Sequence, residues 1–314
     1  MSDDRDLDAH ERRIVEGTTW NEFCDQLRRA GEVVLREKSP SSPFDRAEGF
    51  RYLSRITRAA LQTFVEHADP RAPVLQRVVH ETAKMGADNP DNFYQNAAIS
   101  GAHRYRLFGK RGSVHYLSFG TQIGHYGQGA GMPPSGALDA SQMRFGADGS
   151  FEVLVSCDEP EEDVDWLPMK PETGTLIVRQ TRLDPATEAL AEVHLERLDG
   201  DGAPSPVTAK AIDEGLTQSG KLVFFAANMF AAWAEGFTEH VNELPEFDRD
   251  RARIAGGDPN IVYYHSYWKL GPDEALVIDA TPPPCDHWNF QLNNHWMESL
   301  DYRYFRIHVN SKTA

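Results

Sequence analysis

A chain of 314 residues with 32 Lys and Arg against 48 Asp and Glu carries a formal charge of −16. Such a surface repels phosphate backbones and anionic membranes, which excludes nucleic-acid binding as a main task. Hydrophobic residues at 40% and charged residues at 25% describe a globular chain, not a disordered one.

Taken in order, residues 1–17 read as a charged, flexible tail with no apolar stretch of the kind a secretory leader needs. A helical region is expected over 18–90. Thr19 and Glu22 match a capping box, and Trp20, Phe23, Leu27 and Val34 follow at near-helical spacing. The prolines at 40 and 43 break that helix. A second helix is predicted over 45–67, with Phe50, Leu53, Ile56, Ala60, Leu61 and Phe64 on one stripe, and a weaker one over 74–85.

From residue 91 the pattern changes to short extended runs. Runs 93–100 and 103–110 join around Gly101 as a hairpin, and 138–145 and 150–157 join around Gly149 as another. Further strands are predicted at 113–124, 175–183 and 191–198, with a Gly/Pro-rich loop at 127–136. A helical insertion covers about 206–243, as an amphipathic piece at 206–218 and a more apolar one at 222–241. Its apolar core, 222–234, is too short for the roughly 20 residues of a bilayer span. Strands then return at 261–270, 275–280, 287–296 and 302–310. The fold class is α+β: a helical N-terminal region, then an antiparallel β-sandwich or jelly-roll-like domain over 91–314.

Five stretches carry a family resemblance: ADNPDNFY at 87–94, YRLFGKRG at 105–112, TLIVRQ at 175–180, YWKLGPDEALVI at 267–278 and WNFQLNNHW at 288–296. Together they resemble a bacterial family known as "domain of unknown function" number 1214. The resemblance implies a β-sandwich or jelly-roll-like C-terminal module and implies no activity, so the chemistry rests on the residues themselves.

Side chains alternate across a strand. In 287–296 that places Trp288, Phe290, Leu292 and Trp296 on a core-facing side. His287, Asn289, Gln291, Asn293 and His295 share the other side, a row of amides suited to a wet surface or to the floor of a pocket for hydroxylated molecules. In 261–270, Val262, Tyr264, Trp268 and Leu270 oppose Tyr263, His265, Tyr267 and Lys269. His and Tyr together relay protons, or simply satisfy each other in a core. Arg106 and Arg179 lie in strands and need partners, either structural carboxylates or an anionic group of a substrate.

No HxH or HxxxH pair occurs. His287 and His295 would stand about 26 Å apart on a continuous strand, too far to share a metal. Cys24, Cys157 and Cys285 are odd in number and widely spaced, which argues for reduced thiols in the cytoplasm. No metal site and no tightly bound organic cofactor is expected.

The leading expectation is a cytoplasmic enzyme acting on a small molecule by acid–base chemistry, as a hydrolase, lyase or isomerase. His265 or His287 would be the acid/base, assisted by Tyr263. Arg106, Arg179, Asn289, Gln291 and Tyr267 would hold the substrate. Of the two histidines on the polar strand, His287 is preferred because Asp286 and Cys285 flank it and the prolines at 282–284 place it near a sheet rim. The alternatives are a non-catalytic small-molecule or glycan-binding module, and a metal-dependent enzyme whose ligands converge from distant parts of the chain. Neither a nucleic-acid nor a membrane partner is expected.

Overall fold

The computed structural model describes residues 7–124, 131–200, 202–258 and 260–314. The fold is α+β, with a helical layer, two four-stranded β-sheets and a two-stranded one. No helix among the described residues is long and apolar enough to cross a membrane.

The helical layer holds α1 (Ala9–Val15), α2 (Thr18–Val34) and α3 (Pro43–Leu61), the last continued by a π-helical turn, Gln62–Glu66. Ser42 caps α3 through the Asp45 amide, with Pro43 in its first turn. The expected tail is therefore partly helix. Asp8 and Glu11 form a capping box that starts α1. His10 and Arg13 then anchor it to Asp213 at 2.7 and 2.9 Å. The capping box expected at Thr19 is absent for a related reason. Helix α2 starts at Thr18, the Thr19 hydroxyl bonds Asp213 instead, and Glu22 pairs with Arg13.

The insertion forms one continuous helix, α4 (Ala209–Phe237), where two pieces were expected. Gly220 does not break it. That position faces α2, and a Cβ there would lie 2.9 Å from the Gln26 side chain. Helix α4 packs on α2 and α3, so it completes the N-terminal helical layer around Tyr52, Ile56, Val223 and Ala227.

Two four-stranded sheets share one core. The first has the order β1 (Asn92–Ala98), β7 (Thr173–Thr181), β3 (Tyr116–Ile123), β4 (Pro134–Asp139). The second runs β6 (Asp165–Pro168), β5 (Ser150–Ser156), β2 (Tyr105–Lys110), β8 (Glu192–Arg197). Leu117, Phe119, Leu176 and Val178 from the first meet Leu107, Val153, Val155 and Leu167 from the second. All pairings are antiparallel except β5 with β6.

Neither predicted hairpin forms. Strands β1 and β2 go to different sheets, as do β4 and β5, so the turns at Gly101 and Gly149 are crossovers between layers. Residues 74–85 are irregular where a helix was expected. Gln76 exchanges both backbone bonds with Asn96 (2.9 and 2.8 Å), which extends the edge of β1 and holds the segment open.

After α4 comes a short helix, α5 (Arg249–Ile254), and then a long irregular stretch. The strands expected at 261–270 and 275–280 do not form; only isolated bridges appear at Tyr264 and Tyr267. The C-terminal pair is real but short, with β9 (Asn289–Gln291) antiparallel to β10 (His308–Asn310). Asn294 ends it. Its side-chain oxygen accepts from the amides of Trp296 and Glu298, and Met297 takes φ 55°. The chain turns there and drives Trp296 into the helical core.

Candidate functional site

On the face of the first sheet turned away from the shared core lies a cavity of about 2310 Å³. Alternation along β7 explains the division. Leu176 and Val178 enter the core, while Ile177 and Arg179 line the cavity. Register sets Tyr94 of β1, Arg179 of β7 and Ser118 of β3 side by side. The irregular residues 255–258 and 260–268, β9 and the segment 85–89 supply the other walls.

Arg179 is only 12% exposed at its side chain. One terminal nitrogen donates to the Gly256 carbonyl at 2.8 Å, and the other stands 3.8 Å from Asp258. A buried guanidinium needs such partners, and here the offsetting charge comes from the protein. Around this pair, Tyr94, Tyr116 and Tyr263 have their phenols held above the usual range by burial, Tyr263 up to about 12. They are protonated donors at neutral pH. The Tyr94 oxygen also accepts from the Asn89 amide and the Asn92 side chain.

His287 lies at the same wall. Its ring centroid is 5.4 Å from that of His115 and 6.0 Å from that of Tyr116. Burial, and then the neighbouring His115, lower its pKa, so the imidazole is neutral at pH 7. Its Nδ1 is buried and has no hydrogen-bond partner among the described residues. His265 sits differently. Its ring stacks on Phe237 at 4.9 Å and meets Phe247 edge-on at 5.0 Å, and burial drops its pKa to about 4. An imidazole in that aromatic box behaves as a wall of the cavity. Tyr267 faces another end, where its hydroxyl is 3.3 Å from Nδ1 of His295.

The amide row is bound internally. Gln291 donates to the carbonyls of Ala87 and Asp88 and to Asn293, while Asn289 donates to Gln291 and Asn89. These bonds rivet β9 to the segment 87–89. Asn289 and Gln291 thus shape the cavity more than they offer free donors to it. On the supposed core side only Trp296 is core; Trp288, Phe290 and Leu292 border the cavity.

Arg106 is elsewhere. It lies on the second sheet between Glu152 and Glu196, at 2.7 and 3.1 Å, with its guanidinium over the Phe108 ring. Strand β2 belongs to the other layer, so this residue cannot reach the cavity. Exposed pairs of this kind are worth little. Arg106→Ala is expected to change stability by less than about 1 kcal/mol and to leave ligand binding at the cavity unaltered, as urea titration and a thermal-shift assay would read.

Asp258, Tyr94 and Tyr116 went unnoticed in the sequence. Tyr94 was recoverable from the polar alternation Asn92, Tyr94, Asn96. Asp258 had no signal, because it lies in an aperiodic stretch. Among the described residues no group of three or more His, Cys, Asp or Glu is placed to hold a metal. Of the Gly/Pro-rich loop expected at 127–136, residues 127–130 lie outside the described residues, and 134–136 belong to β4 instead.

No family model matches the chain, and a search of curated proteins returns no match. Among solved structures, a protein from Vibrio parahaemolyticus shares 14% identity over 51% of this chain and 47% of its own, with a TM-score of 0.29. An uncharacterized protein from Burkholderia cenocepacia is 46% identical, superposes with a TM-score of 0.91, and covers 96% of this chain and 84% of its own. The chain belongs to the same family as that Burkholderia cenocepacia protein.

Proposed function

We propose that the chain is an enzyme acting on a small, uncharged, hydroxylated organic molecule, with His287 as its acid/base. The observation that carries this reading is the buried Nδ1 of His287 at the wall of the cavity, unpartnered among the described residues. Buried polar atoms in native proteins are nearly always bonded, so an orphan beside a cavity marks where a ligand completes the set. A neutral substrate suits the electrostatics. Asp258 balances Arg179, the phenols of Tyr116 and Tyr263 stay protonated, and the histidines with lowered pKa are uncharged. The guanidinium and phenols orient a hydroxyl or carbonyl oxygen, and the neutral imidazole exchanges a proton with it. We also propose membership of the "domain of unknown function" family number 1214, whose resembling stretches at 87–94, 175–180, 267–278 and 288–296 all contribute residues to this cavity.

A thermal-shift screen comparing neutral polyols, phenols and cyclic alcohols with carboxylates tests the substrate class. Neutral compounds should raise the melting temperature, because a ligand that binds only the native state stabilises it. For the first such compound that is turned over, His287→Ala should lower kcat by about 100-fold or more. Turnover that survives this substitution would sink the role of His287. A second reading, binding without catalysis, is favoured by Trp268, which borders the cavity with 43% of its surface exposed and could stack on a sugar ring. A compound that stabilises the protein and is never converted would select that reading.

A further inference from the structure

Between α5 and β9 the chain carries a segment that has the composition of a strand and no partner. Residues 275–280 read Ala-Leu-Val-Ile-Asp-Ala, a β-forming run. Yet no backbone N–H or C=O from 275 to 287 bonds to another backbone group among the described residues. Val277 is 86% exposed and Ile278 42%. Gly271-Pro272 before the run and the prolines at 282–284 after it set it off as a stiff arm. An apolar run with an open ladder of donors and acceptors is a template for another strand.

We infer that this arm pairs with the same arm of a second copy of the chain, antiparallel about a twofold axis at Val277. The sequence is self-complementary in that register. Val277 of one copy meets the partner's Val277, Leu276 meets the partner's Ile278, and Ala275 meets the partner's Asp279. Glu274 falls opposite the partner's Ala280, so no carboxylate opposes a carboxylate, although the arm holds Asp273, Glu274 and Asp279. This matters on a chain of formal charge −16, where most surfaces repel their own copies. An isologous contact uses one patch twice, as a twofold requires.

A two-stranded ribbon alone is too small to hold a dimer. The approach to the arm supplies more apolar surface: Val262, Tyr264, Trp268 and Leu270 are all exposed. Leu276 and Ile278 also border the cavity, so the paired arms stand at its rim.

Sedimentation of the full-length protein at tens of micromolar, with hydrogen exchange on the same sample, tests the proposal. The wild type should sediment at twice the 35.3 kDa chain mass, with amides 275–280 protected by pairing. Val277→Asp combined with Ile278→Asp places acids against each other across the axis. That variant should sediment as a monomer with an unchanged circular dichroism spectrum, since neither side chain contributes to a core. A monomeric wild type, a dimer whose arm amides exchange freely, or a dimeric double variant would each overturn the pairing.

Discussion

Trp296→Ala is expected to destabilise the protein by about 3–5 kcal/mol, the range for emptying a buried tryptophan site, read as a lowered midpoint in urea. Trp296 is 1% exposed and stacks on Tyr52 of α3, with ring centroids 6.4 Å apart. The site is built around the indole. A Cβ on Gly49 would lie 2.7 Å from it, so the helix backbone already approaches as closely as it can and cannot collapse to fill the space. The same residue docks the 294–298 turn, whose neighbours Asn293 and His295 border the cavity. Loss of the indole should therefore also raise hydrogen exchange along that rim. A substitution that left stability within about 1 kcal/mol of wild type would mean that the turn is held by its polar bonds instead.

The second large effect is a pH dependence centred on Asp88. This carboxyl is buried beside Lys84 and Glu298, and it accepts bonds from the Ser299 amide at 3.0 Å and hydroxyl at 2.8 Å. Burial pushes its pKa up to about 7 from the 3.8 of an ordinary aspartate. A native pKa above the unfolded one means that the folded chain holds the proton more tightly. The resulting stability is full below the unfolded value and declines as pH rises. It is lost above about 7 and amounts to about 4 kcal/mol in all. His265 and His295 slope the other way. Both are lowered to about 4 by burial, so they withdraw stability as pH falls from the ordinary 6.5. The comparison that isolates Asp88 is wild type against Asp88→Asn. Between about pH 5 and about pH 8 the wild type should lose about 2–3 kcal/mol relative to the variant. A constant difference across that range would show that the carboxylate is charged and fully compensated in the native state.

Those two residues also show what could be read from the sequence. Periodicity located most elements. Of the predicted stripe in α3, Leu53, Ile56 and Ala60 are buried and Phe50 is exposed, and β7 divides its side chains between core and cavity as alternation requires. Alternation does not say which sheet a strand joins, and so two apparent hairpins are crossovers. It also overreached at 261–270. Val262, Tyr264, Trp268 and Leu270 alternate correctly, yet all four are exposed, because among the described residues no strand lies beside them. Of the site, Arg179, Tyr263, His265 and His287 were legible as polar residues within apolar runs, and the cavity gathers them. Arg106 met the same criterion and belongs to the other layer. Asp258 and Asp88 were invisible because their importance comes from contacts distant in sequence, with Arg179 and Ser299.

The continuity of α4 bears on how the chain is made. Helices α1–α3 and the π-turn are complete by residue 66, but the face they bury is covered by a helix that ends at residue 237 and by Trp296. During synthesis at roughly 5–20 residues per second, the helical layer waits about 10–35 seconds for its last member. Residues 92–197, which form both large sheets, emerge within that interval. The central β unit can therefore close while the earlier-made helical segment still exposes Val34, Tyr52 and Ile56 to the ribosome surface and to whatever chaperones attend it.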